Sequence, residues 1–304
     1  MSDRWRTELT QRPLIIDGGT GAELRRRGFP LHGDTWSALA ALTHYDLLRS
    51  VHSDYLAAGA DVVTTNTFAS TRFVLAAAGC EAEFETINRR AIEAAREARE
   101  LAGRDVTIAG SLSCLPPRFD RKGYPPAVRE AAAYQELANL LAAGGVDVIA
   151  LEMLEDTEHA RLACAAARAT GLPVWAGLSC RLAGQRLVAF DFPSITLAEC
   201  LDAVLPFGPE VISVMHSPAA AIEPALAAIR EKWPGWLGAY PVLPAEGDGE
   251  RDLGTAVAPE ALGREALRWL ASGARLIGGC CGATPAHIAA VGRALGVKPD
   301  AGSD

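Results

Sequence analysis

The sequence of 304 residues has little that would take the protein to a membrane or to nucleic acid. The longest stretch without Asp, Glu, Lys or Arg extends from Leu276 to Gly292, and it contains glycine, proline and histidine, unlike a membrane span. The sequence contains 29 basic and 37 acidic residues, and the resulting net charge of −8 argues against phosphate backbones and anionic membranes as partners. The N-terminal residues lack the apolar core of a secretory signal, so we expect a cytoplasmic protein.

The cysteine content also argues against a disulfide-stabilised fold. There are seven cysteines, an odd number, and they are scattered along the chain except for the adjacent pair Cys280 and Cys281. In a reducing compartment this pattern makes the pair a candidate for metal or thiol chemistry. The apolar fraction of 49% excludes disorder as the dominant state, since a chain of this length can bury a large core.

Short apolar runs alternate with longer Ala-, Leu-, Glu- and Arg-rich segments of helical period along the whole chain, which predicts repeated strand–helix units and a parallel sheet. Eight units favour a single (β/α)8 barrel domain over an open sheet, here covering 1–304 with short flexible ends at about 1–12 and 297–304. The predicted strands are Leu14–Ile16, Asp61–Thr65, Val106–Ser111, Val146–Leu151, Val174–Leu178, Val211–Met215, Trp236–Tyr240 and Leu276–Gly279.

In such a barrel the chemistry lies at the carboxyl ends of the strands. Cys280 and Cys281 follow the eighth predicted strand, and His216 follows the sixth, two strands away. Two thiolates and an imidazole leave the fourth position of a zinc ion open, as in catalytic sites. The alternatives are two small buried residues under a glycine-rich turn and a histidine with a hydrogen-bonded structural role.

Two acidic residues also follow predicted strands. Glu152 comes directly after an apolar run, where a carboxylate needs a cation or hydrogen-bond donors to stay charged. A ligand's ammonium group would serve, and the alternative is an ion pair with an arginine. The segment Asp17-Gly-Gly-Thr-Gly21 lacks the lysine of a phosphate-binding loop, but the amides of Gly18 and Gly19 are candidates to hold a ligand carboxylate.

Three segments resemble the homocysteine S-methyltransferase family over about residues 13–295: Asp17-Gly-Gly-Thr-Gly-Ala-Glu-Leu24, the segment from Asp54 to Phe68 that ends in Thr-Thr-Asn-Thr-Phe, and Gly278-Gly-Cys-Cys-Gly-Ala-Thr-Pro-Ala-His-Ile288. The resemblance implies a zinc-containing barrel that transfers a methyl group from a sulfonium donor, S-methylmethionine or S-adenosylmethionine, to homocysteine. It implies that Cys280 and Cys281 bind zinc, that Asp17, Gly18 and Thr65 contact the amino acid, that Glu152 binds its ammonium group, and that Trp36 lies near the reacting sulfur.

The sequence departs from the family pattern at two places. The family has an Asn-Cys pair at the end of the sixth strand, where this chain has Met215 and His216, so we expect His216 as the third zinc ligand. The loop expected after the third strand is replaced by the segment from Cys114 to Tyr124. The first departure bears on zinc affinity and on nucleophile strength, and the second on the methyl donor.

The expected partners are therefore a small-molecule thiol and a methyl donor, and the sequence leaves the oligomeric state and the choice of donor open. Aromatic faces attract a methyl group carried on a cation, and the candidates are Trp36, Phe119, Tyr124 and Tyr240. Two rival interpretations remain. One is a zinc- or thiol-binding barrel of the same family without efficient transfer or with another thiol as acceptor, and the other is a zinc-free enzyme in which His216 is a general base.

Overall fold

The protein is a closed barrel of eight parallel strands, seen in a computed structural model that describes residues 4–33, 35–114, 121–244 and 257–297. Its strands are β1 (Leu14–Ile15), β2 (Val62–Thr64), β3 (Thr107–Ser113), β4 (Val148–Leu154), β5 (Val174–Leu178), β8 (Val211–Met215), β9 (Trp236–Tyr240) and β10 (Ala274–Ile277). Neighbouring strands follow the order β1-β10-β9-β8-β5-β4-β3-β2, and a parallel bridge between Ile16 and Val62 joins the first and last strands of this order. The prediction of a (β/α)8 barrel is confirmed.

Helices surround the barrel and cover the outer face of the sheet. They are α1 (Arg4–Gln11), α2 (Thr20–Arg26), α3 (Ala40–Thr43), α4 (Tyr45–Ala57), α5 (Arg72–Ala77), α6 (Phe84–Ala102), α7 (Ala127–Ala143), α8 (Thr157–Ala169), α9 (Leu197–Val204), α10 (Ala219–Arg230), α11 (Pro259–Ala271) and α12 (Pro285–Ala294). Within the described ranges, no helix is both long and apolar enough to cross a membrane.

The strands are mostly apolar because both of their faces are buried. One face contributes to the packed interior of the barrel, with residues such as Leu14, Val148 and Trp175, and the other face packs under the helices. The longest helix, α6, buries Ile87, Ala91 and other residues at spacings of three and four in the hydrophobic core, which is the apolar stripe expected of a helix on the surface of a domain.

Helix α1 lies where the sequence predicts part of a flexible segment at 1–12, so that prediction is wrong for Arg4–Gln11. Trp5 and Leu9 are buried in the barrel-interior cluster, and the ring of Trp5 meets Trp175 of β5 edge-on at 5.2 Å between ring centroids. Burial of a tryptophan holds this short helix in place, because large aromatic side chains contribute much apolar area. The predicted flexible end at 297–304 lies, apart from Val297, outside the described residues.

An antiparallel hairpin, β6 (Cys180–Ala183) and β7 (Arg186–Ala189), is inserted between β5 and α9 and is absent from the sequence prediction. Its strands are joined by the two residues Gly184 and Gln185, and Gly184 has a φ of 62°, a conformation that suits glycine. The hairpin returns the chain to the carboxyl end of the barrel at Phe190, beside His216.

Candidate metal and substrate site

The side chains of His216, Cys280 and Cys281 converge at the carboxyl end of the barrel. One ligand atom from each lies within 4.8 Å of the other two, and Cys280 Sγ is 3.4 Å from His216 Nδ1. Two ligands of one tetrahedral zinc ion, with a Zn–S distance of about 2.3 Å and a Zn–N distance of about 2.0 Å, stand about 3.5 Å apart. The three residues thus form a possible metal site in which Nδ1 is the nitrogen that faces the thiol.

The cysteine turn is built by glycines that allow backbone to approach backbone. A Cβ at Gly278 would lie 2.1 Å from the carbonyl oxygen of Ile16, and Gly282 has a φ of 80°. The turn is held from both sides, since Cys280 N–H donates to the carbonyl of Pro241 at 2.9 Å and Gly19 N–H donates to the carbonyl of Cys280 at 3.0 Å. Side chains at these glycines would displace the thiols, which explains the spacing of the motif.

His216 is held in a strained conformation. Its φ is 43°, in the left-handed region that a residue with a Cβ seldom adopts. Its backbone N–H donates to the carbonyl of Tyr240 at 3.1 Å, and the ring of Phe190 meets the imidazole edge-on at 5.1 Å between centroids. Tertiary contacts therefore direct the imidazole toward Cys280.

The electrostatics of the pair fit a cation. Hydrogen bonding to Cys281 and burial raise the pKa of Cys280 well above its usual value, and repulsion between two neighbouring thiolates adds to the effect. A divalent cation bound by both sulfurs would offset this repulsion and favour both thiolates. The donor set of two sulfurs and one nitrogen is one that zinc accepts.

Two carboxyl groups lie near the metal site. Asp17 follows β1 and accepts hydrogen bonds from Thr64 N–H at 2.8 Å and from the Thr64 hydroxyl at 3.0 Å. Glu152 lies within β4 and accepts a short hydrogen bond from the Ser111 hydroxyl. Neither carboxyl group has an ion pair with any residue that the structure describes, so the arginine partner considered as an alternative for Glu152 is not among them.

The pKa values of both carboxyl groups are raised, chiefly by burial. Burial raises the pKa of Asp17 to about 8, and repulsion from Glu152 adds to the effect. Burial raises the pKa of Glu152 to about 7, with a further contribution from Cys281. Because an ammonium group bound beside both carboxylates would lower these pKa values, the pair suits a cationic part of a ligand.

Gly18 and Thr65 lie beside Asp17 and help to build the protein around the site. A Cβ at Gly18 would lie 2.3 Å from the carbonyl oxygen of Ala283, so only glycine fits between β1 and the cysteine turn. The Thr65 hydroxyl accepts from Ser111 N–H at 3.0 Å and bonds the Thr67 hydroxyl at 2.8 Å. Gly19 N–H is bonded to Cys280, so the expectation that it holds a ligand carboxylate is wrong.

The aromatic candidates differ in their surroundings. Trp36 is partly exposed, has a φ of 48°, and its indole nitrogen would lie 2.3 Å from a Cβ at Gly21. Tyr240 is buried in the barrel interior, and the Tyr124 ring stacks on His159 at 3.4 Å between centroids. Phe119 lies outside the described residues.

Four residues of the site were not predicted from the sequence: Thr64, Ser111, Asn66 and Phe190. Asn66 is buried and bonds both the hydroxyl and the carbonyl of Ser37, which holds the segment beside Trp36. Asn66 lies inside the quoted Thr-Thr-Asn-Thr-Phe motif, a signal that could have identified it. Phe190 has no local signal, because the hairpin that delivers it was not predicted.

Comparison with known proteins agrees with the barrel fold. The homocysteine S-methyltransferase family profile matches residues 14–295. Homocysteine S-methyltransferase 1 of Zea mays is 28% identical over 92% of this chain and 94% of its own, and a selenocysteine methyltransferase of Astragalus bisulcatus is 28% identical over 93% of each. The metallated form of the homocysteine methyltransferase MmuM from Escherichia coli superposes with a TM-score of 0.78 at 25% identity, over 95% of this chain and 99% of that one.

The family match spans the barrel from β1 to the end of α12, and it includes every residue of the site described above. The expectation drawn from the three sequence motifs is confirmed: this chain belongs to the homocysteine S-methyltransferase family and is a methyltransferase.

Proposed function

We propose that this enzyme transfers a methyl group from a sulfonium donor to the thiol of homocysteine and releases methionine, with a zinc ion held by His216, Cys280 and Cys281. The observation that carries the proposal is the convergence of these three side chains beside two carboxyl groups that have no ion pair among the described residues. A metal site that binds a thiol, next to a site that binds an ammonium group, matches the two functional groups of an amino acid thiol.

The three ligand residues prepare the acceptor. A free alkyl thiol has a pKa of about 8.5 or above, so only a small fraction is thiolate at neutral pH. A zinc ion at this site supplies the charge that keeps the acceptor sulfur deprotonated. Cys280, Cys281 and His216 would hold the metal with three protein ligands, the number found in catalytic zinc sites, and the glycine turn fixes the direction of both cysteine side chains.

Asp17 and Glu152 bind and orient the amino acid end of the substrate. Glu152, fixed by Ser111, accepts hydrogen bonds from the ammonium group of the substrate. Asp17, fixed by Thr64, places a second negative charge beside that group. Thr65 and Gly18 support the binding residues by fixing the backbone beside them. The Thr65 hydroxyl is hydrogen-bonded within the protein, and Gly18 allows the chain after β1 to pack closely against the cysteine turn.

The donor carries its methyl group on a cationic sulfur, and aromatic faces attract such cations. Trp36 is partly exposed near β1, and Phe190 is adjacent to His216. S-Methylmethionine and S-adenosylmethionine both satisfy this chemistry. Because all seven cysteines are free thiols, we place the reaction in the reducing cytoplasm.

His216 changes the charge of the metal centre relative to three cysteines. Two thiolates and one neutral imidazole give a neutral zinc site, whereas three thiolates give a site with one negative charge. A neutral site favours deprotonation of the acceptor thiol but makes the resulting thiolate less nucleophilic. With the metal bound, this site would therefore bind the acceptor thiol at lower pH, and would transfer the methyl group more slowly, than a site with three cysteines.

The test combines metal content and methyl transfer. We expect about one zinc per chain in the reduced protein, and methionine formation from homocysteine with S-methylmethionine or S-adenosylmethionine as donor. Cys280→Ser and Cys281→Ser should each lose zinc and activity with unchanged circular dichroism, while Cys80→Ser, a cysteine outside the cluster, should retain both.

Each rival interpretation has its own outcome in this experiment. Zinc without methyl transfer to any thiol would favour a binding protein. Methyl transfer at full rate in zinc-free protein would favour a general-base role for His216. Either result overturns the proposal.

A further inference from the structure

The thioether of Met215 accepts two hydrogen bonds in the barrel interior. Met153 N–H donates to Met215 Sδ at 3.3 Å, and the Ser179 hydroxyl donates to the same sulfur at 3.1 Å. Met215, Met153 and Ser179 are all buried. A thioether is a weak acceptor, but a buried backbone N–H without any acceptor is costly, so this contact replaces a ladder bond that β4 lacks at this point.

The barrel makes room for this side chain at Gly177. A Cβ at Gly177 would lie 2.8 Å from Met215 Cγ, so a larger residue on β5 would push the methionine aside. The register between β4 and β5 shifts between Leu151 and Leu154, which is where Met153 turns its N–H toward the sulfur. The methionine therefore occupies a specific gap beside an irregularity of β4.

The chain neighbours of both bonded residues belong to the site. Met153 follows Glu152, and Met215 precedes His216. Met153 and His216 have φ values of 54° and 43°, and only Trp36 shares this property with them among the non-glycine residues that the structure describes. Strained conformations persist only where surrounding contacts hold them, and Met215 is bonded through its sulfur to Met153 and directly precedes His216.

We propose that Met215 is a positioning residue whose sulfur couples the strand end that carries Glu152 to the strand end that carries His216. The inference rests on the proposed function for the roles of Glu152 and His216. Loss of the sulfur releases Met153 N–H, relaxes the irregularity of β4, and moves the Glu152 carboxylate relative to His216. A displaced Glu152 raises the KM for an amino acid thiol, and a relaxed His216 weakens metal binding.

The chain offers a test at the level of one atom. Its three methionines are Met1, Met153 and Met215. The Met153→Leu protein therefore contains two methionines, Met1 and Met215. This variant retains the backbone N–H of residue 153. It is prepared with methionine, with selenomethionine, which keeps an acceptor at the position of sulfur, and with norleucine, which places a methylene group there. The three proteins differ in the acceptor and hardly in shape.

We expect the norleucine protein to show a KM for homocysteine about tenfold higher, and amide exchange at residue 153 about tenfold faster, than the methionine and selenomethionine proteins. Its zinc dissociation constant, measured by competition with a chelator, should rise by about threefold or more. A lower melting temperature with an unchanged KM, unchanged zinc affinity and unchanged exchange would overturn the proposal, because it would leave Met215 only a packing role.

Amide exchange and zinc affinity do not require turnover. If the methionine-containing protein fails to methylate homocysteine, the proposed function fails, while those two measurements still decide whether the sulfur holds β4 and His216. Should Met153→Leu not fold, Met215→Leu in the otherwise unchanged chain provides the same three measurements, with Met215→Gln as the variant that retains an acceptor. Equal values in Met215→Leu and the parent protein would refute the inference.

Discussion

A buried histidine that is not one of the proposed site residues gives a specific prediction about stability. His52 lies on α4 with no exposed surface, and neither ring nitrogen has a hydrogen-bond partner among the described residues. Burial lowers the pKa of His52 to about 4 from a reference value of 6.5. His52→Leu replaces the imidazole with an apolar side chain of similar volume, and we expect it to stabilise the protein in mild acid.

The size of the effect follows from proton linkage. At pH 5 the unfolded imidazole is protonated by about thirty to one, whereas the folded one is mostly neutral, and this difference costs the folded state ~2 kcal/mol. The penalty is absent well above pH 6.5, begins as the pH falls through 6.5, and is complete near pH 4. His52→Leu should remove it, and at pH 7.5 the variant should be at least as stable as the parent, because it also removes two unpaired polar atoms.

Urea unfolding at pH 7.5 and at pH 5.0 measures the effect on metal-free protein, so that zinc release at low pH adds nothing. We expect the stability gain from His52→Leu to be ~2 kcal/mol larger at pH 5.0 than at pH 7.5. His32→Leu is the matched control at an exposed histidine, and it should show no such difference. Parallel pH dependence in the parent and in His52→Leu would refute the assignment of a neutral buried imidazole.

Three further predictions concern the site. Glu152→Gln should weaken use of homocysteine by ~2 kcal/mol in kcat/KM and spare a thiol without an amino group, since a charge-assisted contact is lost; an equal loss for both thiols would indicate a structural role. His216→Ala should weaken zinc binding and flatten its pH dependence, and His216→Cys should restore tight binding with a faster methyl transfer at saturating substrate. If His216→Ala holds zinc as tightly as the parent, the ligand assignment is wrong. Gly18→Ala should lower zinc affinity and melting temperature, because its Cβ would lie 2.3 Å from the carbonyl oxygen of Ala283, whereas Gly33→Ala, with open space around it, should change neither.

The sequence alone was sufficient for the architecture and for the three residues that converge as a possible metal site. Apolar runs separated by helical periods predict the eight strands because burial on both faces and helical periodicity are local properties of the chain. The adjacent cysteines between glycines mark the end of the last strand, and the rule that chemistry lies at strand ends brings Asp17, His216 and Glu152 into the same region.

What the sequence could not determine depends on contacts between segments distant along the chain. The hairpin that places Phe190 against His216, the burial of Trp5 against Trp175, and the two donors on the Met215 sulfur each require the barrel to be closed first. The strained backbone of His216 has no local signature, because a histidine adopts this conformation only when surrounding strands compensate for the strain. Tertiary structure therefore decided the side-chain orientation of the predicted residues, because neighbouring strands and loops determine the direction of a side chain at a strand end.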